Sequence, residues 1–121
     1  MNKKILIVDD DPRNIFALKL TLKSRGYQIE SCTMAQEAIE ILQSDNQFAA
    51  VLMDMMMPEM DGYEATRIIR NTPSTSRLPV IAVTAQAMPE DRQKCLDAGA
   101  NDYISKPIDV DQLIHAIEKL P

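Results

Sequence analysis

The sequence predicts an α/β fold with a single doubly wound, five-stranded parallel sheet, order 2-1-3-4-5, and helices on both faces. Three observations predict it. Short apolar runs alternate with one-sided helical stretches five times over. The first of these runs, Ile5-Leu6-Ile7-Val8, is apolar at every position, as a strand buried on both faces must be. Capping and stop residues stand at most of the junctions, and alternating strand and helix with this punctuation implies parallel pairing through right-handed crossovers.

In chain order, residues 5–8 form the first strand and end at acids. Asp11-Pro12 reads as cap and first helical residue. The helix runs to about Arg25, with Ile15, Leu18 and Leu22 on its inner side and Gly26 stopping it. Tyr27 to Cys32 is a less apolar strand suited to an edge. Thr33 and Gln36 read as a capping box for the next helix. Ala35, Ala38, Ile39 and Leu42 there recur at the helical period. Ala49 to Met53 is the third strand, ending at Asp54, and residues 55–60 are a loop. Asp61, with Glu64 three residues on, caps the third helix. Leu78 to Val83 is the fourth strand, ending at Thr84. Pro89 opens and Gly99 closes the fourth helix. Asp102 to Ser105 is a short fifth strand. Asp109 with Gln112 caps the last helix, whose apolar face is Val110, Leu113, Ile114 and Ile117.

At 121 residues and 45% hydrophobic content the chain suits one domain, residues 1–121, with one core. Its net charge of -5 makes nucleic acid and anionic lipid unfavourable partners. No apolar run approaches the roughly 20 residues that span a bilayer. The basic start, Met1 to Lys4, precedes an apolar run too short for a signal peptide, so a cytoplasmic location is expected. Cys32 and Cys95 lack metal-ligand spacing and read as buried reduced thiols. His115, the single histidine, reads as a solvated helix residue.

In an open sheet of this order, ligands bind beyond the carboxyl ends of the strands where the winding reverses. The first strand ends at Asp9-Asp10 and the third at Asp54, so three carboxylates converge. Two such charges about 5 Å apart repel by roughly 3 kcal/mol at an effective dielectric near 20. A cation among them removes that cost. The donors are hard oxygens, which select Mg²⁺, Mn²⁺ or Ca²⁺ over Zn²⁺. Asp11 is set aside as the helix cap. Thr84, at the fourth strand's end, can donate a hydroxyl to a phosphoryl oxygen, and Lys106, after the fifth, brings a compact positive charge. The set suits a carboxylate nucleophile that forms an acyl phosphate while cations neutralise the equatorial oxygens. Ala85 is small and leaves room for a bulky donor.

These segments also resemble a known family. Residues 5–10 (ILIVDD), 54–62 (DMMMPEMDG), 79–85 (PVIAVTA) and 99–107 (GANDYISKP) match, in order and spacing, the receiver domains of two-component response regulators, including the chemotaxis-regulator type. The resemblance implies a flavodoxin-like fold and a switch that is not itself an enzyme. Asp54 would be the phosphoacceptor. Asp10 would bind Mg²⁺ directly, Asp9 mainly through a water, and the Met56 backbone carbonyl would be a further ligand, with Mn²⁺ able to substitute. Thr84 and Tyr103 would be the switch pair, and Lys106 would contact the phosphoryl group. Lys106-Pro107 is expected to be cis. The donor would be a phosphohistidine on a histidine kinase or phosphotransfer protein. A downstream protein would dock on the helix 4, strand 5, helix 5 face, residues 89–120. The chain would be a monomer or a phosphorylation-dependent dimer, with no direct nucleic-acid binding.

Around the chemistry stand Met56 and Gln86. Met56 is apolar and is expected to shield the acyl phosphate, slowing self-dephosphorylation. Five methionines between Met53 and Met60 allow a Cu(I) site, against which stands adaptable packing. Three other functions compete. A phosphatase of the haloacid-dehalogenase type needs a second Asp two residues after the nucleophile, where Met56 stands. A flavodoxin-like flavin-mononucleotide binder needs a hydroxyl- and glycine-rich phosphate loop, where three aspartates stand. A binding module with an inert site needs no such constellation. The chain ends after its last helix, which suits either a freestanding regulator or a receiver from a hybrid kinase or a larger regulator.

Overall fold

The computed structural model describes residues 3–45, 47–85 and 88–120, so Gln86 lies outside the described residues. Strand and helix alternate as expected: β1 (Lys4–Val8), α1 (Pro12–Ser24), β2 (Gln28–Cys32), α2 (Ala35–Ser44), β3 (Ala50–Asp54), α3 (Gly62–Asn71), β4 (Val80–Thr84), α4 (Pro89–Ala98), β5 (Asp102–Ser105) and α5 (Val110–Glu118). The sheet order is β2-β1-β3-β4-β5, and all four pairings are parallel.

Two-residue alternation in the strands divides the core between the faces. Ile5, Ile7, Ala50, Leu52, Ile81 and Val83 pack with Ile15, Leu18 and Leu22 of α1 and Leu113 and Ala116 of α5. Leu6, Val8, Val51, Met53, Val80 and Ala82 pack instead with α2, α3 and α4. Strands β1, β3 and β4 are buried along almost their whole length, which explains their unbroken apolar runs. The edge strand β2 alternates exposed and covered residues until Cys32. In α5 the buried residues are Leu113 and Ala116; Val110, Ile114 and Ile117 are only half-covered.

Caps explain most of the helix starts. Asp11, Asp61 and Asp109 each accept a backbone N–H from their own first turn, from Arg13, Glu64 and Gln112 respectively. The capping box predicted at Thr33 is corrected. Met34 holds the cap position, its carbonyl accepts from the Ala38 N–H at 3.1 Å, and its side chain makes no cap hydrogen bond. Thr33 therefore lies one residue outside the cap and Gln36 one residue short of N3. The apolar contacts of Ala35 and Ala38, both buried, outweigh a cap worth about 1 kcal/mol. Both cysteines are free and buried, and His115 is exposed. Among the described residues no helix is long and apolar enough to cross a membrane.

Candidate phosphoacceptor site

The register brings the predicted residues together. Val8 pairs with Met53, Asp54 with Val83, and Thr84 with Ser105, so β1, β3, β4 and β5 finish at one rim. The winding reverses between β1 and β3, which opens the crevice there. Carboxylate oxygens of Asp9, Asp10 and Asp54 lie within 4.8 Å of one another. Asp9 and Asp54 are each only 3% exposed, whereas Asp10 faces solvent.

Local hydrogen bonds aim these groups. Asp9 Oδ1 accepts the Asp11 N–H at 2.8 Å, which turns the chain sharply into α1. Asp54 Oδ1 accepts the Met56 N–H at 3.1 Å. Asp54 Oδ2 faces Lys106 Nζ at 3.3 Å, and the same ammonium lies 3.8 Å from Asp9 Oδ2. The Lys106 N–H donates to the Thr84 carbonyl at 2.7 Å, which anchors the turn that presents the lysine. The Lys106-Pro107 peptide is cis, as the resemblance implied. Thr84 is fully buried, and Tyr103 is half-buried against the α2/α3/α4 side of the core.

Three carboxylates share one ammonium, so a formal charge of −2 remains when all are ionised. Burial pushes the Asp54 carboxyl above the usual range; the Met56 N–H and Lys106 pull it down, and the Asp9 charge raises it further. A hard divalent cation fits this set: the donors are all oxygens, they converge, and their charge is only partly compensated. Asp9, Asp10 and Asp54 are the side chains that would hold it.

Two features near the site carry no role in the sequence reading. A Cβ on Gly62 would lie 2.5 Å from the Asp54 carbonyl oxygen and 2.7 Å from both Cα and Sδ of Met55. The start of α3 thus packs directly on the backbone bearing Asp54, and only glycine permits it. The glycine stands in the sequence just after a cap, where nothing marks so close an approach. Glu59, at φ 66°, holds a left-handed turn in the β3–α3 loop that its residue type does not signal. The methionines sort by packing. Met53, Met55 and Met57 are buried in the core and Met60 packs against it, while Met56 points to solvent.

Comparison with known proteins agrees with this geometry. Residues 5–118 match the family model described as the response regulator receiver domain. The sensor histidine kinase RcsC of Salmonella typhi is 43% identical over 90% of this chain, which spans 11% of that protein. The chain likewise spans 12–14% of other histidine kinases that it matches. Among solved structures, the receiver domain of sensor histidine kinase PA1611 from Pseudomonas aeruginosa PAO1, with a magnesium ion in its active-site cleft, superposes with a TM-score of 0.89. It is 36% identical and covers 99% of this chain and 98% of that one. The Saccharomyces cerevisiae Ssk1 receiver domain, crystallised with the histidine phosphotransfer protein Ypd1, superposes with a TM-score of 0.90 at 26% identity, covering 97% of this chain and 87% of that one.

Proposed function

This chain belongs to the response regulator receiver family, the receivers of two-component phosphorelays, and from that premise we propose that Asp54 is its phosphoacceptor. The observation that carries the proposal is the convergence of Asp9, Asp10 and Lys106 on the Asp54 carboxylate at the end of β3. An Asp54 carboxylate oxygen attacks phosphorus in a phosphohistidine. The new O–P bond forms as the P–N bond breaks, and the imidazole nitrogen keeps the electron pair. Lys106 Nζ, already beside Asp54 Oδ2, stays with the growing charge on the phosphoryl oxygens. Mg²⁺, or Mn²⁺ in its place, when bound supplies further charge neutralisation at the phosphoryl group. Asp10, Asp9, Asp54 and the Met56 carbonyl are its proposed ligands.

The same reading assigns the remaining residues. The buried Thr84 hydroxyl turns to an acyl-phosphate oxygen, and Tyr103 moves into the space it leaves. That rearrangement alters the α4–β5–α5 surface, residues 89–120, on which a downstream protein docks. The donor is a histidine kinase or phosphotransfer protein. The chain acts in the cytoplasm as one unit, residues 1–121, without turnover of an external substrate and without binding nucleic acid. It is a monomer, or a dimer once phosphorylated. The test is incubation with Mg²⁺ and acetyl phosphate followed by intact-mass measurement. One added phosphoryl group is expected, lost on chelation and absent in Asp54→Ala. Uptake that persists in Asp54→Ala sinks the assignment.

A further inference from the structure

The five methionines of residues 53–60 differ sharply in access to solvent. Met53 and Met55 are fully buried and Met57 is 7% exposed, whereas Met56 is 54% exposed. Met56 is also the residue whose backbone N–H donates to Asp54 Oδ1 at 3.1 Å. An open thioether is therefore carried on the same short stretch of backbone that holds the phosphoacceptor carboxylate. Exposed methionine sulfur is oxidised readily by peroxides, while sulfur packed in a core is shielded.

We propose that Met56 is an oxidative modification site that sets the lifetime of the Asp54 acyl phosphate. A sulfur lone pair attacks one oxygen of a hydroperoxide. The S–O bond forms as the O–O bond breaks. Sulfur loses two electrons, and the other peroxide oxygen leaves as water or an alcohol after taking up a proton. The sulfoxide replaces an apolar group with a strong hydrogen-bond acceptor. An acceptor at this position orders water beside the acyl phosphate, and water is the nucleophile that ends the signal. Thiol-dependent methionine sulfoxide reductases reverse the change. The inference rests on Asp54 as phosphoacceptor, and it adds a chemical input that is independent of the kinase.

Met34 and Met88 are comparably open, at 49% and 58%. They stand before α2 and α4, and neither makes a hydrogen bond to Asp54 among those of the described residues. They serve as internal controls. The folded chain is treated with limiting hydrogen peroxide, quenched with catalase, and mapped by peptide mass spectrometry for added oxygen. It is then loaded with acetyl phosphate and Mg²⁺, freed of donor, and followed for loss of the phosphoryl group. Oxygen is expected on Met56, Met34 and Met88, with Met53, Met55 and Met57 spared. The phosphoryl lifetime is expected to fall roughly fivefold, the effect of one net hydrogen bond at the reacting centre. Methionine sulfoxide reductase with a thiol restores it. Met34→Leu and Met88→Leu keep the peroxide response, whereas Met56→Leu, compared with its own untreated sample, loses it. An unchanged lifetime at full Met56 oxidation overturns the proposal, as does a peroxide response that survives in Met56→Leu. Failure of the untreated chain to take up phosphoryl removes the Asp54 reading as well, which separates the two failures.

Discussion

At the amino ends of the strands, cations are surrounded by acceptors. Lys4 Nζ lies 2.6 Å from Asp45 and 3.1 Å from Glu30 and stacks 4.6 Å from the Phe48 ring centre. Arg70 donates to the carbonyls of Gly99 and Leu78 at 2.8 and 2.5 Å and to Asn101 Oδ1 at 2.6 Å. It thereby ties the end of α3 to the close of α4 and to the starts of β4 and β5. At the carboxyl ends the arrangement is reversed: three carboxylates have one ammonium between them. The same sheet thus carries a rim whose charges are satisfied within the fold and a rim whose charges call for something from outside. Asp45 and Asp54 show the contrast in one property. The Lys4 hydrogen bond holds Asp45 below the usual carboxylate range, while burial pushes Asp54 above it. A carboxylate held by a lysine hydrogen bond ionises more readily than usual, and one buried beside another carboxylate ionises only at a cost.

The sharpest way to break this comparison is to empty the satisfied rim. Arg70→Met strands the partly buried Leu78 and Gly99 carbonyls, while Asn101 Oδ1, exposed on this side, keeps the Val80 N–H. Unmet acceptors of this kind cost about 1–3 kcal/mol each, partly relieved by water, so a loss of about 3 kcal/mol is expected. Urea unfolding measures it as a lower midpoint at unchanged slope. The folded variant still takes up one phosphoryl group from acetyl phosphate, because Arg70 touches nothing at the other rim. A variant as stable as the wild type shows that the clamp contributes nothing.

The incomplete rim responds in the other direction. Asp54→Asn removes a charge that burial disfavours and the nearby Asp9 repels. In chelator, without divalent ions, the variant is expected to be more stable by about 1 kcal/mol, a rise in melting temperature of roughly 4 °C for a domain of this size. Adding Mg²⁺ raises the wild-type midpoint by mass action and raises the variant's less, because a ligand oxygen charge is gone. Calorimetry with and without Mg²⁺ checks both. A variant that melts lower than the wild type in chelator contradicts the claim that the site is held at the expense of the fold.

This asymmetry also explains what the sequence could disclose. The site was legible because each of its acids and its hydroxyl stands at the end of an apolar run, so Asp9, Asp10, Asp54 and Thr84 follow from strand register alone. Lys106 follows from the short run before it. The cis peptide before Pro107 entered through family resemblance. The satisfied rim was not legible. Arg70 finds its partners at residues 76, 78, 99 and 101, and three of the four acceptors are backbone carbonyls that no residue type announces. Gly62 was equally silent, because its need is for space against the Asp54 backbone and not for a turn. The Thr33 cap failed for a related reason. Its local signal was sound, but packing of Ala35 and Ala38 on the sheet moved the helix start by one residue.

The smallest effect concerns Asp45, an amino-end carboxylate whose ionisation the fold favours. Asp45 is lowered by Lys4 first and then by the Gln47 N–H, so the folded chain holds its proton less tightly than the unfolded chain does. Its contribution to stability is therefore present above the unfolded carboxylate value near 3.9 and disappears as pH falls through the lower folded value. Wild type and Asp45→Asn are expected to differ slightly in urea midpoint at pH 6, with the wild type the more stable. The difference closes at pH values below about 4. The partners sit at the protein surface, so added salt narrows the gap at pH 6 as well. A gap that is constant across pH would assign the effect of the substitution to packing and not to charge. It would leave the Lys4 cluster no more electrostatic than its neighbour Phe48.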